Sequence, residues 1–425
     1  MNKTHKFKQT EIGLIPEDWE VKELGEVASY INEKINVKKI DPEKYISTEN
    51  LIPNKGGITL AQTIPKTGNI NKFNLEDILF SNIRTYFKKL WFAKFEGECS
   101  TDVLVIRNNK KISPNFLYYF LSQDLFFNYT IVNSKGTKMP RGDKKAIMQF
   151  KINLPSLQEQ TAIAKILSDL DSKIEILQKQ NETLEKIGQA LFKHWFVDFE
   201  FPDEQGKPYK SSGGEMVESE LGMIPKGWEV GKLGDKLKTV LGGTPNKTKP
   251  EYWKGDIPWI NSGAINAFPI MDFSDTISEL GLENSAAKLM PPRTVVLPFV
   301  ISVGKEVRIS ILGIESSGNQ SVLGILEDED YSSEFIYNWI QLRKGNLYLS
   351  ATGGAQQHIN KGNVDSMELL NPEIKILHYF NKTVKNFFNK IYLNSKEILT
   401  LQKIRDLLLP KLMTGKIRVP LEDQK

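Results

Sequence analysis

Apolar residues recur every seven positions near the middle of the chain, a pattern typical of a long helix packed against another helix. The repeat follows Pro155 and Ser156, which suit a helix start, and a second repeat lies near the end of the chain. We expect two helices of roughly 40 residues and about 60 Å each, packed antiparallel. The predicted seam residues are Ile163, Leu170, Ile174, Leu177 and Leu184 in the first helix, and Phe380, Phe387, Ile391, Ile398 and Leu401 in the second.

Asn181 and Asn394 fall inside these two seams. A buried Asn costs stability but fixes the register of paired helices. Taken alone, the heptads are also typical of a helix that only holds protein chains together, so this alternative stays open here.

The chain repeats itself. Residues 11–25, EIGLIPEDWEVKELG, match residues 220–234, ELGMIPKGWEVGKLG, at a spacing of 209, whereas Pro155 and Pro372, which precede the two helices, lie 217 apart. The stretch between these matches diverges strongly. A repeated frame with a divergent interior predicts one scaffold that carries two different recognition surfaces.

Between the repeated frames the sequence is typical of mixed α/β domains. Strand-like runs at 102–107 and 293–298 accompany helix-like runs at 114–127 and 333–344. The predicted fold class is α+β: two mixed α/β domains joined by two long antiparallel coiled-coil helices, with an internal pseudo-two-fold repeat. The predicted divisions are a first domain at 1–155, a central long helix at 156–200, a polar linker at 201–218, a second domain at 219–372, and a C-terminal long helix with its tail at 373–425.

Composition excludes several classes of protein. The 425 residues contain one cysteine, Cys99, and four histidines, which rules out a disulfide framework and the usual zinc-ligand spacings. The chain has neither a Walker A motif nor an Asn/Asp-Pro-Pro-Tyr segment, so we expect no ATP hydrolysis, no methyl transfer and no catalytic centre. The single cysteine and the lack of a long apolar run predict a cytoplasmic protein.

Positive charge is concentrated locally. Residues 80–150 contain twelve Lys or Arg and five Asp or Glu, although the net charge of the whole chain is only +4. Basic loops with glycine can approach phosphates, and amide side chains suit adenine edges. The candidate DNA-binding residues are Arg84, Tyr86, Lys88, Lys89, Lys138, Arg141, Lys144 and Lys145 in the first half, and Asn319, Gln320, Gln356, Gln357, His358 and Lys361 in the second. A solvated charged face and ordinary turns are the competing interpretations.

Several motifs in this order resemble one family. They are the doubled GLIPEDW and GMIPKGW, GGTPNKTKPEYWKGDIPWI at 242–260, SLQEQTAIAKILSDLDSKIE after Pro155, and ETLEKIGQALFKHWFVDFEFP at 182–202. Over nearly its whole length the chain resembles the specificity (S) subunits of type I restriction-modification systems, the HsdS family. One departure is NPEIKILHYF at the start of the second helix, where the family has Glu-Gln after the proline.

The resemblance implies a non-catalytic subunit with two target-recognition domains, each of which reads half of a split double-stranded DNA site. The long helices would set the gap between the half-sites and dock two methyltransferase subunits, and restriction/translocase subunits would complete the enzyme. These partners would use S-adenosylmethionine, ATP and magnesium, whereas this chain would bind no cofactor or metal and no membrane.

Three other functions compete with this one. A DNA-binding regulator would use the same two domains without enzyme partners, and a coiled-coil scaffold would not bind DNA. A fused methyltransferase or nuclease would need the catalytic motifs that the sequence lacks.

Overall fold

The chain folds into two compact units, each of which contains part of both long helices. The structure, a computed structural model, describes residues 6–37, 40–302, 308–350 and 356–420, with the backbone only at 301, 302, 348, 350, 356 and 357. Unit 1 comprises the described residues up to Ile174 and from Thr400 onward, and unit 2 comprises those from Glu175 to Leu399.

Helices account for the periodic segments of the sequence. They are α1 (Leu24–Val27), α2 (Pro114–Leu121), α3 (Asp124–Val132), α4 (Lys144–Met148), α5 (Leu157–Phe196), α6 (Leu233–Lys236), α7 (Glu279–Glu283), α8 (Ser333–Ser350), α9 (Lys361–Asp365) and α10 (Ile374–Met413). The long helix α5 begins directly after Pro155 and Ser156, as predicted. The run predicted as one helix at 114–127 is instead two, because the Ser122 hydroxyl donates to the carbonyl of Tyr119 and α2 ends there.

Unit 1 contains fourteen short strands among its described residues. They are β1 (Phe7–Thr10), β2 (Gly13–Pro16), β3 (Glu20–Glu23), β4 (Ala28–Tyr30), β5 (Lys34–Asn36), β6 (Tyr45–Ile46), β7 (Asn69–Phe73), β8 (Ile78–Ser81), β9 (Leu90–Phe92), β10 (Gly97–Cys99), β11 (Val103–Asn108), β12 (Ser134–Lys135), β13 (Arg141–Gly142) and β14 (Lys151–Leu154). The inner sheet has the order β4-β11-β8-β9, and the outer sheet has the order β5-β7-β10-β6. Cys99 is fully buried in the core between them, as expected for a small apolar residue.

Unit 2 repeats this arrangement. Its strands are β15 (Met216–Ser219), β16 (Gly222–Pro225), β17 (Glu229–Lys232), β18 (Thr239–Leu241), β19 (Trp253–Ile260), β20 (Asp275–Ile277), β21 (Leu289–Met290), β22 (Val295–Pro298), β23 (Val300–Ser302), β24 (Ser310–Ile311), β25 (Ser316–Gly318), β26 (Val322–Ile325), β27 (Gln356–His358) and β28 (Glu368–Asn371). The inner sheet, β18-β26-β22-β24, matches that of unit 1 strand for strand, and all its pairs are antiparallel.

The outer sheets share three strands and differ in the fourth. Strands β7, β10 and β6 of unit 1 correspond to β21, β25 and β19 of unit 2, with the same parallel pair, β10 with β6 and β25 with β19. In unit 1 the fourth strand, β5, pairs with β7, whereas in unit 2 the fourth strand, β20, pairs with β19. The extra strand therefore lies at opposite edges of otherwise equivalent sheets.

The long helices pack antiparallel within each unit. In unit 1, Asp171 of α5 accepts hydrogen bonds from Arg405 of α10 (2.8 Å) and from the Tyr119 hydroxyl (2.8 Å). In unit 2, Nδ2 of Asn394 donates to Oδ1 of Asn181 (2.9 Å), so the two predicted seam asparagines face each other. Six predicted seam residues are buried, namely Ile163, Ile174, Leu177, Phe380, Ile391 and Ile398, and four are partly buried, namely Leu170, Leu184, Phe387 and Leu401. The predicted fold class is thus confirmed.

The tryptophan of each repeated motif is covered by the segment that follows a long helix. In unit 1, Arg418 lies over the Trp19 ring and pairs with the buried carboxylate of Glu159 (2.6 Å), which also accepts from Nε1 of Trp19 (3.0 Å). In unit 2, the ring of Phe201 stacks on Trp228 with centroids 4.9 Å apart. The segment predicted as a linker therefore contributes a core residue at its first position.

The departure from Glu-Gln at the start of the second helix has a packing explanation. Glu159 and Gln160 are both buried, and Gln160 accepts from the Ser113 amide and donates to the Pro155 carbonyl. The matching positions of α10, Ile376 and Leu377, are buried in the apolar core of unit 2. One unit uses a polar network where the other uses an apolar contact.

We predict that Arg418→Ala lowers the free energy of unfolding of unit 1 by about 3 kcal/mol, because it leaves the Glu159 carboxylate buried without a charge partner. Urea unfolding followed by circular dichroism measures this change. Glu159→Ile combined with Arg418→Phe, which copies the residues of unit 2, should restore most of the loss. Lys165→Ala, which breaks an exposed ion pair with Asp169, is the control and should cost less than about 1 kcal/mol.

The asparagine pair gives a second prediction. Asn181→Leu should destabilise unit 2 by about 1–3 kcal/mol, because the Nδ2 group of Asn394 loses its acceptor in a buried seam. The double change Asn181→Leu with Asn394→Leu should cost less than the sum of the single changes, since two apolar residues then face each other. A double-mutant cycle of urea unfolding measures the coupling, and strictly additive losses would contradict it.

Candidate nucleic-acid interface

Three segments that are distant in sequence meet in unit 1. The Asn82 amide donates to the carbonyl of Asp102 (2.9 Å), and the Gly142 amide donates to the carbonyl of Asn82 (3.1 Å). A β-bridge between Ile83 and Arg141 continues the contact. We call residues 82–89, 100–102 and 135–145 the three-segment site of unit 1. Both basic clusters predicted from the sequence belong to it, so the fold brings them together.

The first segment is a tight turn of fixed shape. A 3-10 turn at Thr85–Phe87 is flanked by Arg84 and Lys88, and both flanking residues adopt left-handed backbone angles (φ 52° and 51°). The Arg84 amide donates to the Pro140 carbonyl (2.8 Å), which ties the turn to the third segment. Backbone angles that disfavour side-chain-bearing residues are tolerated where surrounding contacts hold them, and they cluster at functional sites.

Close packing explains the glycine of the third segment. A Cβ atom at Gly142 would lie 3.0 Å from Oδ1 of Asn82 and 3.0 Å from Cδ1 of Ile147. Asn82 is itself buried, and its Oδ1 has no hydrogen-bond partner among the described residues. Only glycine therefore lets the third segment approach the first without displacing a buried amide.

Three of the cations in this part of unit 1 pair with carboxylates. Arg141 bonds to Asp102 (3.1 Å), Lys88 bonds to Asp124 (2.7 Å), and Lys135 bonds to Asp143. Exposed ion pairs contribute only about 0–1 kcal/mol, so these cations can exchange their carboxylates for phosphates at little cost. The side chains of four further predicted residues have no ion-pair partner in the part of unit 1 that the structure describes; these are Arg84, Lys138, Lys144 and Lys145.

The remaining predicted residues of unit 1 differ in how accessible they are. Tyr86 is 48% exposed and packs against the ring of Phe87. Lys89 is more enclosed, because its ammonium group donates to the carbonyl of Thr48, and burial lowers its pKa. Tyr86 is thus free to contact a ligand, whereas Lys89 is already engaged.

Asp143 orients the third segment. Its carboxylate caps α4 by accepting from the amides of Lys145 and Ala146, and the hydrogen bond from Lys135 lowers its pKa. The cap directs Lys144 and Lys145 to the first turn of α4, immediately beside Arg141 in the chain.

Unit 2 builds the same frame with different side chains. The Phe299 amide donates to the carbonyl of Ser321 (2.8 Å), and the Ile359 amide donates to the carbonyl of Phe299 (2.9 Å). We call residues 299–300, 319–321 and 358–361 the three-segment site of unit 2. Val300 pairs with His358 as Ile83 pairs with Arg141, so His358 occupies the position of Arg141.

The predicted residues of unit 2 also converge. Oδ1 of Asn319 accepts from the Ser321 amide, and Oε1 of Gln320 accepts from the hydroxyl of Thr244. His358 is exposed and lies edge-on to the ring of Phe299, with centroids 6.3 Å apart. Lys361 pairs with Asp365 one turn further along α9. The side chains of Gln356 and Gln357 lie outside the described residues.

Sequence reasoning missed the middle segment of unit 1 and the residues that hold each site together. Asp102 was counted only as an opposing charge, yet it is the ion-pair partner of Arg141. The equivalent turn of unit 2, Ser316–Ser321, was noticed for its amides. Comparison of the turns before β11 and β26 across the repeat was the signal that could have found Asp102.

The described residues contain no group of three or more His, Cys, Asp or Glu side chains that could hold a metal ion. None of the described helices is both long enough and apolar enough to cross a membrane.

The comparisons with known proteins identify the family. The Type I restriction modification DNA specificity domain matches residues 16–186 and 225–403. The chain belongs to this family. The double match covers most of the chain and repeats once, in agreement with the internal repeat.

Relatives of this specificity family match along nearly their entire length. The chain is 30% identical to the type I restriction enzyme MjaIX specificity subunit of Methanocaldococcus jannaschii, over 97% of this chain and 96% of that protein. It is 28% identical to the HindI specificity subunit of Haemophilus influenzae, over 94% and 100%. The crystal structure of the type I restriction-modification S subunit from M. genitalium aligns with a TM-score of 0.55 at 16% identity, over 97% and 99%, and shares the fold.

Membership in the specificity family decides between the functions left open by the sequence. The relatives are specificity subunits, which are not the catalytic components of type I systems, so the prediction of a non-catalytic DNA specificity subunit is confirmed. A regulator or scaffold without enzyme partners is not favoured. The family also implies association with DNA and with methyltransferase and restriction subunits.

The basic loop gives a direct prediction for this family member. Arg141→Gln, Lys144→Gln and Lys145→Gln together should weaken DNA binding and reduce the slope of log affinity against log salt by about 3, because each lost phosphate contact removes about 0.9. Titration of DNA at several salt concentrations measures both quantities. The control replaces Lys193, Lys226 and Lys232 of unit 2 by Gln, and an equal loss in both variants would contradict the assignment.

Proposed function

We propose that the chain reads a bipartite double-stranded DNA site, with one half-site read by the three-segment site of each unit. The observation that carries this proposal is the shared frame. The same backbone hydrogen bonds join the same three segments in both units, yet the exposed side chains differ. A constant frame with changed side chains is what two readers of unlike half-sites require. We retain 1–155 and 219–372 as the bounds of the two target-recognition domains.

In the first half we propose that Arg141 reads base edges and that the neighbouring lysines bind phosphates. A guanidinium can bond to both acceptor atoms of guanine in the major groove. The Asp102 carboxylate holds the Arg141 side chain in the free protein, which limits the entropy lost on binding. Arg84, Lys138, Lys144 and Lys145 are free to contact the backbone, and Tyr86 offers an exposed ring. Lys88 and Lys89 contribute less, because each already has a partner.

In the second half we propose readout by polar, largely uncharged groups. The candidates are Asn319, Gln320, Gln356, Gln357 and His358, with Lys361 for phosphate. Asn and Gln pair with the N6 and N7 atoms of adenine. The two half-sites would therefore differ in base composition and in the salt dependence of their recognition.

The helix pair of α5 and α10 would set the distance between half-sites and dock the partners. We propose two methyltransferase subunits per chain, joined by restriction/translocase subunits. Those partners would use S-adenosylmethionine, ATP and magnesium, and this chain would contribute position and register while the target adenine is flipped from the stack. Cytoplasmic localisation is part of the same proposal.

Exchange of one domain interior tests the proposal. Replacing residues 20–150 with the equivalent segment of a relative should change one half-site and leave the other and the gap unchanged. Sequencing of methylated adenines in cells that carry the variant and its partner subunits measures the recognised site. The reciprocal control replaces 229–370 and should change only the opposite half. A change of both half-sites by either exchange would refute separate reading.

A further inference from the structure

A groove in unit 2 lies on the long helices, and none of the candidate DNA-binding residues lines it. It has a volume of about 730 Å³ and is bounded on one side by α5 and α10 and on the other by residues 264–274. The helices contribute Glu182, Glu185 and Ile398, among others. A cavity of this size is within the range of ligand and side-chain pockets.

The loop that forms the second wall is held firmly. The Ile270 amide donates to the carbonyl of Ile311 (2.9 Å), and the Gly313 amide donates to the carbonyl of Ile270 (2.8 Å). The ring of Phe268 packs on Tyr337 with centroids 4.7 Å apart. The groove is therefore preformed, so an occupant would not have to order the wall.

The lining combines negative charge with apolar rings. Carboxylates come from Glu182, Glu185 and Asp272, and no Lys or Arg is among the lining residues. Glu182 and Asp272 are exposed and have no ion-pair partner among the residues that the structure describes. Phe273 is 46% exposed, and Phe268 also lines the groove.

Glu185 lies deeper than the other two carboxylates. Its Oε1 accepts from the Tyr337 hydroxyl (2.6 Å) and from Nε2 of Gln189 (2.9 Å). Burial raises the pKa of Glu185, the nearby Glu182 raises it further, and Lys186 offsets part of the shift. A cation that entered the groove would relieve the repulsion between the two carboxylates.

We propose that this groove is the docking site for a basic segment of a partner subunit, which places Lys or Arg groups against Glu182 and Asp272 and their aliphatic stems against Phe268 and Phe273. The inference rests on the proposed function, which supplies the partner subunits. DNA is excluded as the occupant, because its phosphates would meet only carboxylates. A long basic side chain matches both parts of the lining, since its stem is apolar and its end is charged.

The test reverses the charge of the groove. In complexes reconstituted from the full chain and its methyltransferase and restriction subunits, Glu182→Lys with Asp272→Lys should weaken binding of one partner about tenfold or more. The control, Asp256→Lys with Glu283→Lys, makes the same charge change at exposed residues of unit 2 outside the groove and should leave assembly intact. Phe273→Ala should weaken the same partner without any change of charge. Calorimetry measures each affinity, and circular dichroism checks the fold.

The outcomes separate the two proposals. If the unaltered chain assembles and the charge-reversed chain assembles equally well, the groove is not the docking site and the proposed function stands. If the unaltered chain binds no partner subunit, the proposed function fails, and this inference fails with it. If spermidine binds the free chain, the groove substitutions abolish that binding and assembly is unaffected, the groove is a site for small cations and the docking proposal is wrong.

Discussion

Both units depend on the burial of α5 and α10 against each other, because neither unit completes its core with one continuous stretch of chain. Unit 1 needs residues after Thr400, and Asn153 bonds to the carbonyl of Met413, 260 residues away. Such distant contacts cost chain entropy, but the cost grows only slowly with loop length. Apolar burial along the seam and the charged cluster at Glu159 offset it. The domain interiors are free to vary because this frame carries the stability.

Variation within the frame is confined to certain places. The inner sheet and the hydrogen bonds among the three segments are the same in both units, whereas the fourth strand of the outer sheet changes edges. Arg141 and His358 differ in charge at one backbone position. A rigid frame presents its loops with little freedom, so a change of side chain can alter what is recognised without altering where it is presented.

The sequence predicted the features that follow from periodicity. The heptads located both long helices, and the seam asparagines do pair with each other. The helix break at Ser122 was not predicted, because a hydroxyl that bonds to its own helix leaves no mark on the apolar pattern. The convergence of residues 82–89 with 135–145 could not be predicted either, since it depends on strand pairing across long intervals. The role of Asp102 is visible only once that pairing is known.

The opposite positions of β5 and β20 also affect how such a chain matures. Tandem domains of similar sequence tend to exchange strands during synthesis, and the resulting misassembled species aggregate. Here a strand borrowed from the other copy would extend the wrong edge of the outer sheet and leave the native edge bare. Charged residues at these edges, Lys34 and Asp275, further discourage pairing with foreign strands. Divergence between the copies thus protects biosynthesis as well as broadening recognition.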